Sequence, residues 1–154
     1  MRSYRMDNVV LASTYRSTAT IFRMSAAVLL RDFQERGEAL PRNIRAIPFY
    51  YLISHAIELL LKCALLKRGQ SADDLKKYPV RHSLDALLQK LGQLGVPLSD
   101  GAIRIIGALS RQHEKHNLRY TVLLDDGEFT FTPEPSELFD LLDELLLAGR
   151  VSTR

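Results

Sequence analysis

The chain has little cysteine and lacks the compact motifs that mark common enzyme classes. Its single cysteine, Cys63, lies among leucines and has no partner for an internal disulfide. We therefore expect a reduced protein in which Cys63 is a small buried apolar residue. The sequence contains no glycine-rich phosphate loop, no Gly-x-Ser-x-Gly elbow and no paired-cysteine site. These absences argue against the common nucleotide hydrolases and metalloenzymes.

The sequence also lacks a long uninterrupted apolar run. The N-terminus has no continuous apolar segment of the kind found in secretory signals, and the most apolar stretch, residues 50–66, is interrupted by His55, Glu58 and Lys62. A helix that crosses a bilayer needs about 20 predominantly apolar residues. We therefore predict no secretory signal, no membrane span or membrane partner, and a cytoplasmic location.

Charge is unevenly distributed along the 154 residues. Residues 1–120 hold 19 Lys and Arg against 10 Asp and Glu, whereas residues 121–154 hold 2 against 8. The formal net charge of +3 therefore combines a basic body with an acidic C-terminal segment. This pattern is compatible with a phosphate-rich partner held by the body. It is equally compatible with docking of the acidic segment on a basic body, its own or that of a second subunit.

Apolar residues recur at intervals of three and four along most of the chain, which predicts a single helical domain over residues 1–154. Helices are expected at about residues 9–36, 44 or 48 to 68, 71–78, 83–94 and 100–117. Serine caps and glycine or proline stops support these bounds. The residues concerned are Ser71 and Ser99 at helix starts, and Gly37, Gly69, Pro79 and Gly95 at helix ends.

The pattern changes after residue 117. RYTVLLDDGEFTF resembles two short strands around Asp126-Gly127, which predicts a β-hairpin at about residues 119–132. Pro133 and Pro135 interrupt the chain, and regularly spaced leucines predict an acidic C-terminal helix at about residues 136–148. The expected fold is all-α, an up-and-down bundle of four or five helices with a small β-hairpin insert before the last helix.

The central helix carries one polar wedge on an otherwise apolar surface. At about 100° per residue, Glu58 and Lys62 fall within roughly 60° of His55, and we expect all three to point toward the end of the 100–117 helix. Two interpretations follow. Either Glu58 and Lys62 face a cleft and orient Arg111, Arg119 or a bound phosphate, or they form an i,i+4 pair on the solvent side. We favour a structural role, in which Glu58 pairs with Arg119 and holds the hairpin on the bundle.

Three segments, in this order, resemble the HEPN superfamily of small all-α bundle proteins. They are SHAIELLLKCALLKRG in the central helix, His82 with Leu84 at the start of the next helix, and RQHEKHNLRY at the end of a third. The resemblance covers about residues 47–120 and rests on pattern and order. It implies a four- or five-helix bundle that forms a homodimer. In catalytic branches, an Arg-x4-6-His motif in a cleft at the dimer interface cleaves RNA without a metal ion. Many members act in toxin-antitoxin or phage-defence systems, often with a nucleotidyltransferase-like partner, and others lack the chemistry.

Mapped onto this chain, the family motif is Arg111-Gln-His-Glu-Lys-His116. In that role His116 moves the proton of a ribose 2′-hydroxyl and Arg111 holds the phosphate charge. Gln112 and Leu118 depart from the residues common at those positions in active members. Arg111 and His116 lie about 140° apart on a regular helix, so they converge only at a helix end or across two subunits. Alternatively, Arg111 belongs to a solvated helix face and His116 complements the helix dipole.

Three further residues near this motif are candidate supports for a cleft. His113 and His116 stand three apart, but without a matched carboxylate or cysteine we predict no metal site, and we predict no cofactor. His113 is expected to be partly buried and hydrogen-bonded. Arg119 and Tyr120 offer a cation and a stacking ring for an RNA base, or else they anchor a strand against a helix.

A basic run between the central helix and the next long helix also has two interpretations. It follows a phosphate backbone, or it forms a solvated loop. Its members are Lys67, Arg68, Lys76, Lys77, Arg81 and His82.

The sequence supports two functions. We predict a HEPN-like, dimeric, non-catalytic module that binds a partner protein or a nucleotide. The alternative is a metal-independent endoribonuclease of toxin or defence type, which uses Arg111 and His116, acts on RNA and has a nucleotidyltransferase-like antitoxin as its partner.

Overall fold

A computed structural model of the chain describes the backbone of residues 2–40, 44–114 and 133–150, and the side chains of residues 7–40, 45–110 and 133–150. The regular structure in these ranges is entirely helical, which confirms the predicted all-α class. Six α-helices occur there, together with short 3-10 helices at Ile44–Ala46 and Val80–His82. The α-helices are α1 (Arg2–Glu35), α2 (Ile47–Lys67), α3 (Ala72–Lys76), α4 (Leu84–Gln93), α5 (Asp100–Glu114) and α6 (Pro135–Ala148). The predicted hairpin at 119–132 falls outside the described residues.

Local sequence signals account for most of the helix ends. The hydroxyls of Ser71, Ser83 and Ser99 accept hydrogen bonds from backbone N–H groups three residues later, at 3.1 to 3.2 Å. These bonds satisfy donors that the first turn of a helix leaves unpaired. Gly37 and Gly69, which follow α1 and α2, have positive φ angles of 67° and 87°. Glycine adopts this conformation without steric cost, so the chain can turn away at both positions.

Helix α1 begins at Arg2, several residues before the predicted start. The residues before Val9 have no apolar periodicity, which is why the pattern placed the start later. They also contain no glycine or proline, however, and the chain has none before Gly37. With nothing to stop it, the helix extends to the second residue.

Helices α1 and α2 form an antiparallel pair joined along one buried row of three alanines and a phenylalanine. Ala12, Ala19, Ala26 and Phe33 are spaced seven apart on α1 and are at most 3% exposed. We call this row the inner seam of α1. Three alanines allow the two helices to approach closely. Near the start of α1, the side-chain amide of Asn8 donates to the backbone carbonyl of Gln70 at 3.1 Å. This bond ties the start of α1 to the loop after α2.

Helix α2 is the hub of the core, because it contacts α1, α4, α5 and α6. Fourteen of its 21 residues are buried. It is long and apolar enough to cross a bilayer, but 78% of its most apolar window is buried inside the fold. Its apolar character is therefore that of a core helix that packs against several neighbours at once.

Candidate functional site

The polar wedge of the central helix divides into two environments. Glu58 and Lys62 point into the bundle beside the 3-10 helix Val80–His82, and only 3% and 7% of them is exposed. His55 contacts α1 instead. Glu58 and Lys62 do form the i,i+4 pair of the second interpretation, but the pair lies inside the bundle and not on its solvent side. An i,i+4 spacing makes two side chains neighbours on a helix. Whether water reaches them depends on the elements that pack around that helix.

Lys62 joins two elements through its ammonium group. Its Nζ atom donates to Glu58 Oε1 at 2.6 Å and to the backbone carbonyl of Arg81 at 2.7 Å. The first bond neutralises a buried carboxylate, and the second holds the 3-10 helix Val80–His82 against α2. Because a buried charge without a partner is strongly unfavourable, this pairing is a condition for placing Glu58 in the core.

His82 completes a polar group with Glu58 and Lys62, which we name the buried cluster. Its Nδ1 lies 3.3 Å from Glu58 Oε1, and its side chain is 39% exposed. Burial lowers the pKa of His82, and the Glu58 carboxylate opposes that effect. The ring is therefore mainly neutral near pH 7. Since an ionised carboxylate only accepts hydrogen bonds, the tautomer that fits carries its proton on Nδ1.

Tyr15 brings α1 close to the same carboxylate. Burial raises the pKa of the Tyr15 phenol, and the negative charge of Glu58 raises it further. Tyr15 therefore keeps its proton at physiological pH.

His55 belongs to an aromatic contact between α1 and α2. Its ring stacks on Tyr51 with centroids 5.0 Å apart and meets Phe22 edge to face at 5.6 Å. Both distances lie in the range in which aromatic pairs contribute beyond area burial. The described contacts of His55 thus assign it to packing between helices, rather than to the buried cluster.

The start of α4 lies beside the end of α5. The backbone N–H of Asp85 donates to the hydroxyl of Ser110 at 3.2 Å, and Asp85 follows His82 by three residues. Ser110 directly precedes Arg111. The start of α4, where Asp85 lies three residues after His82, therefore approaches the part of α5 that leads into the proposed motif.

The proposed catalytic residues themselves are not described. The side chains of Arg111 and His113, and His116, Arg119 and Tyr120 as whole residues, lie outside the described part of the chain. The expected Glu58 to Arg119 pair falls there as well. What the sequence missed is the pairing of Glu58 with His82. His82 was visible as a residue at the start of a helix, but nothing in the sequence indicates a contact with a residue 24 positions earlier.

A basic segment at residues 76–82 occupies the surface next to the buried cluster. Tyr78 is 94% exposed there, and Arg81 is exposed as well. Lys77 pairs with Asp74 at 3.0 Å. An exposed aromatic ring between cations can stack on a nucleotide base while the cations contact its phosphates.

A shallow groove of about 170 Å³ separates the exposed sides of α5 and α6. Its polar groups bind one another. Glu144 accepts hydrogen bonds from the N–H and the hydroxyl of Ser99 at 2.6 and 2.8 Å, and Arg104 donates to Glu137 at 2.8 Å. These contacts hold α6 on the bundle, which is a structural use of the acidic C-terminal segment.

Across the described side chains, no three histidine, cysteine, aspartate or glutamate residues converge in a way that could hold a metal ion. Comparison of the chain with protein-family models, with curated proteins and with solved structures finds no match.

Proposed function

We propose that the chain is a HEPN-like helical module that acts as a homodimer and binds its partner without catalysis. The partner class that its surface favours is a nucleotide or another phosphate-bearing molecule. The HEPN part of the proposal rests on the resemblance of residues 47–120. The all-α class and the buried central helix are compatible with it.

The non-catalytic part rests on the departures of Gln112 and Leu118 from the residues common in active members. The structure adds that the buried cluster gives Glu58 and Lys62 a structural place. Lys62 directs its ammonium to Glu58 and to a backbone carbonyl, and Glu58 is 3% exposed. A general acid or base must come within hydrogen-bond distance of a substrate atom. Glu58 and Lys62 cannot do so without breaking the contacts that stabilise them, so their role is to hold the 3-10 helix Val80–His82 in place.

That 3-10 helix in turn positions the basic segment. Arg81 is held through its carbonyl by Lys62, and its side chain is exposed, three residues after the exposed ring of Tyr78. The segment therefore exposes a cation and a stacking surface three residues apart. These are the two elements by which proteins bind single-stranded nucleic acid or a nucleotide without reading sequence.

Binding is tested by fluorescence anisotropy with a labelled single-stranded oligoribonucleotide and, separately, with a labelled adenine nucleotide. Replacing Tyr78 with Ala or Arg81 with Gln is expected to weaken binding by about tenfold, since one stacked base contributes about 1 to 3 kcal/mol. Arg45→Gln is the matched control, because Arg45 is also exposed but lies before α2, at the opposite end of that helix. Equal affinity in all four proteins would contradict the assignment of this surface.

Catalysis is tested by incubating the protein with unlabelled RNA in EDTA. We expect intact RNA. Products with 2′,3′-cyclic phosphate ends that disappear in His116→Ala would overturn the non-catalytic proposal and establish the metal-independent endoribonuclease. A protein that binds neither RNA nor a nucleotide would leave a partner protein as the ligand and would refute the phosphate-bearing class.

A further inference from the structure

The side of α1 that faces away from the core carries no charge over five helical turns. Every exposed residue of α1 between Val9 and Val28 is apolar, serine or threonine. The large apolar side chains among them are well exposed, with Val10 at 63%, Ile21 at 60%, Met24 at 65% and Val28 at 55%. Charged residues normally make up about a quarter to a third of a protein surface. A contiguous uncharged strip of this kind is typical of an interaction surface.

The two threonine hydroxyls on this side, those of Thr14 and Thr20, are already hydrogen-bonded within the helix. Thr14 and Thr20 each donate to the carbonyl four residues earlier, at 3.0 Å. A hydroxyl that donates to its own helix presents mainly its methyl group to the outside. Burying these threonines against another helix would therefore leave no hydroxyl hydrogen without an acceptor, which removes the main cost of covering polar side chains.

The exposed residues follow the spacing of a helix pairing surface. The outer seam of α1 comprises Val10, Thr14, Ser17, Ile21, Met24 and Val28, in which intervals of four and three alternate. This is the spacing of the a and d positions of a coiled coil. At about 100° per residue, the outer seam lies roughly opposite the inner seam that packs against α2. A helix with an uncharged surface on both sides is suited to lie between two layers.

We infer that the outer seam is the surface through which two copies of this chain associate, with their α1 helices antiparallel. The charged residues that continue the seam spacing at its two ends favour this occupant and this direction. Asp7 precedes the seam and Arg31 follows it, and both are exposed, although Arg31 also lies 4.0 Å from Glu35 on its own helix. If Val10 of one copy lies opposite Val28 of the other, Asp7 lies opposite Arg31 at both ends. A parallel pair would instead place like charges together.

The symmetry of the seam supports the same arrangement. In the antiparallel register Val10 meets Val28, Thr14 meets Met24, and Ser17 meets Ile21. Each pair therefore contains at least one small or medium-sized side chain. Such a contact is the same on both copies, as a two-fold axis requires. The seam spans roughly 27 Å at 1.5 Å per residue, which is long enough for a two-helix contact.

The inference specifies the interface of the proposed homodimer, and it rests on that part of the proposed function. It does not depend on whether the module binds a nucleotide.

The first test measures oligomeric state by sedimentation equilibrium for the full chain and two variants. Ile21→Glu places a charge at the centre of the seam, whereas Leu147→Glu changes a residue of α6 that is equally exposed, at 60%. We expect a dimer for the wild type and for Leu147→Glu, and a dissociation constant at least a hundredfold higher for Ile21→Glu. An unchanged dimer in Ile21→Glu would overturn the assignment of this surface and leave the homodimeric function standing. A monomeric wild type would overturn both.

The second test fixes the direction and does not depend on how Ile21→Glu folds. Val10→Cys and Val28→Cys are prepared separately, with the native Cys63 left in place because it is 1% exposed. A disulfide forms only when the two Cα atoms come within about 7 Å. We expect a covalent dimer when the two variants are mixed under mild oxidation, and none from either variant alone. Covalent dimers from each variant alone would establish a parallel pair, and no covalent dimer in any sample would refute the pairing of α1 helices.

Discussion

Replacing Lys62 with methionine provides the most direct test of the buried cluster. Methionine matches the length of the lysine side chain and removes its charge and its hydrogen bonds. Glu58, at 3% exposure, would then lose its cationic partner while a neutral His82 stays 3.3 Å away, and the carbonyl of Arg81 would lose the Lys62 donor. The carboxyl group of Glu58 would then lie between helix α2 and the 3-10 helix Val80–His82 without its cation.

The expected loss of stability is large. Removing one partner of a buried ion pair typically costs about 3 to 5 kcal/mol. His82 still donates to Glu58 and its side chain is 39% exposed, so some solvent compensation remains. The lower end of the range, about 3 kcal/mol, is therefore expected. For a chain of this size, about 2 to 4 °C of melting temperature is lost per kcal/mol, which predicts a decrease of roughly 6 to 12 °C.

The assay is urea unfolding followed by circular dichroism, with a matched exposed pair as the control. Lys77→Met removes the cation of the Lys77 to Asp74 pair, which has the same kind of chemistry but lies at the surface. Exposed pairs contribute little, so its unfolding midpoint should change only slightly. In the double variant Glu58→Gln with Lys62→Met, the uncompensated charge is absent, and stability should recover relative to Lys62→Met alone.

Two results would refute this reasoning. If Lys62→Met and Lys77→Met had equal effects, the burial of Lys62 would have no energetic consequence. If the double variant were less stable than Lys62→Met, then lost packing or lost hydrogen bonds, rather than an unpaired charge, would explain the destabilisation.

Three other predictions concern single residues. Because burial lowers the pKa of His82, NMR titration should give a pKa below the ordinary value of 6.5. Neutral His82 then stabilises the fold fully above pH 6.5, and this stabilisation is lost as the pH falls through the folded-state pKa. Glu58→Gln should lower that pKa further, and an unchanged value would show that the 3.3 Å contact carries no charge interaction. Ser83→Ala removes the bond to the N–H of Ala86 and should cost about 1 kcal/mol in thermal unfolding, whereas Ser83→Asp should retain most of the stability. Burial raises the pKa of the Cys63 thiol, so a thiol reagent at pH 8 should react rapidly only after denaturation, and rapid reaction of the native protein would contradict this burial.

Helix positions were predictable because the signals that set them are local. Serine caps, glycines with positive φ and apolar spacing act within a few residues. Ser71 caps α3, and Gly37 and Gly69 follow the ends of α1 and α2 with positive φ, as their positions predict. The start of α1 was placed too late for the same reason. Apolar spacing shows where a helix is buried, and a helix continues past its buried part when no residue stops it.

The candidate site was predictable only in part. The spacing of Glu58 and Lys62 identified them as neighbours, but their environment depended on which element covers α2. That element is the 3-10 helix Val80–His82, which contributes a histidine and a backbone carbonyl. A carbonyl has no signature in sequence, because every residue has one, so only the packing of the chain selects Arg81.

The amino-acid sequence by itself determined the helical class, the identity of the core helix and the bounds of most helices, because these follow from periodicity and from caps that act over short distances. The tertiary structure decided which polar residues are inside and which apolar residues are outside. Glu58 and Lys62 became core residues through contacts with a segment about 20 positions away, while Ile21 and Met24, apolar in sequence, remained at the surface. Both outcomes depend on which face of a helix its neighbours cover, and that is a property of the assembled chain.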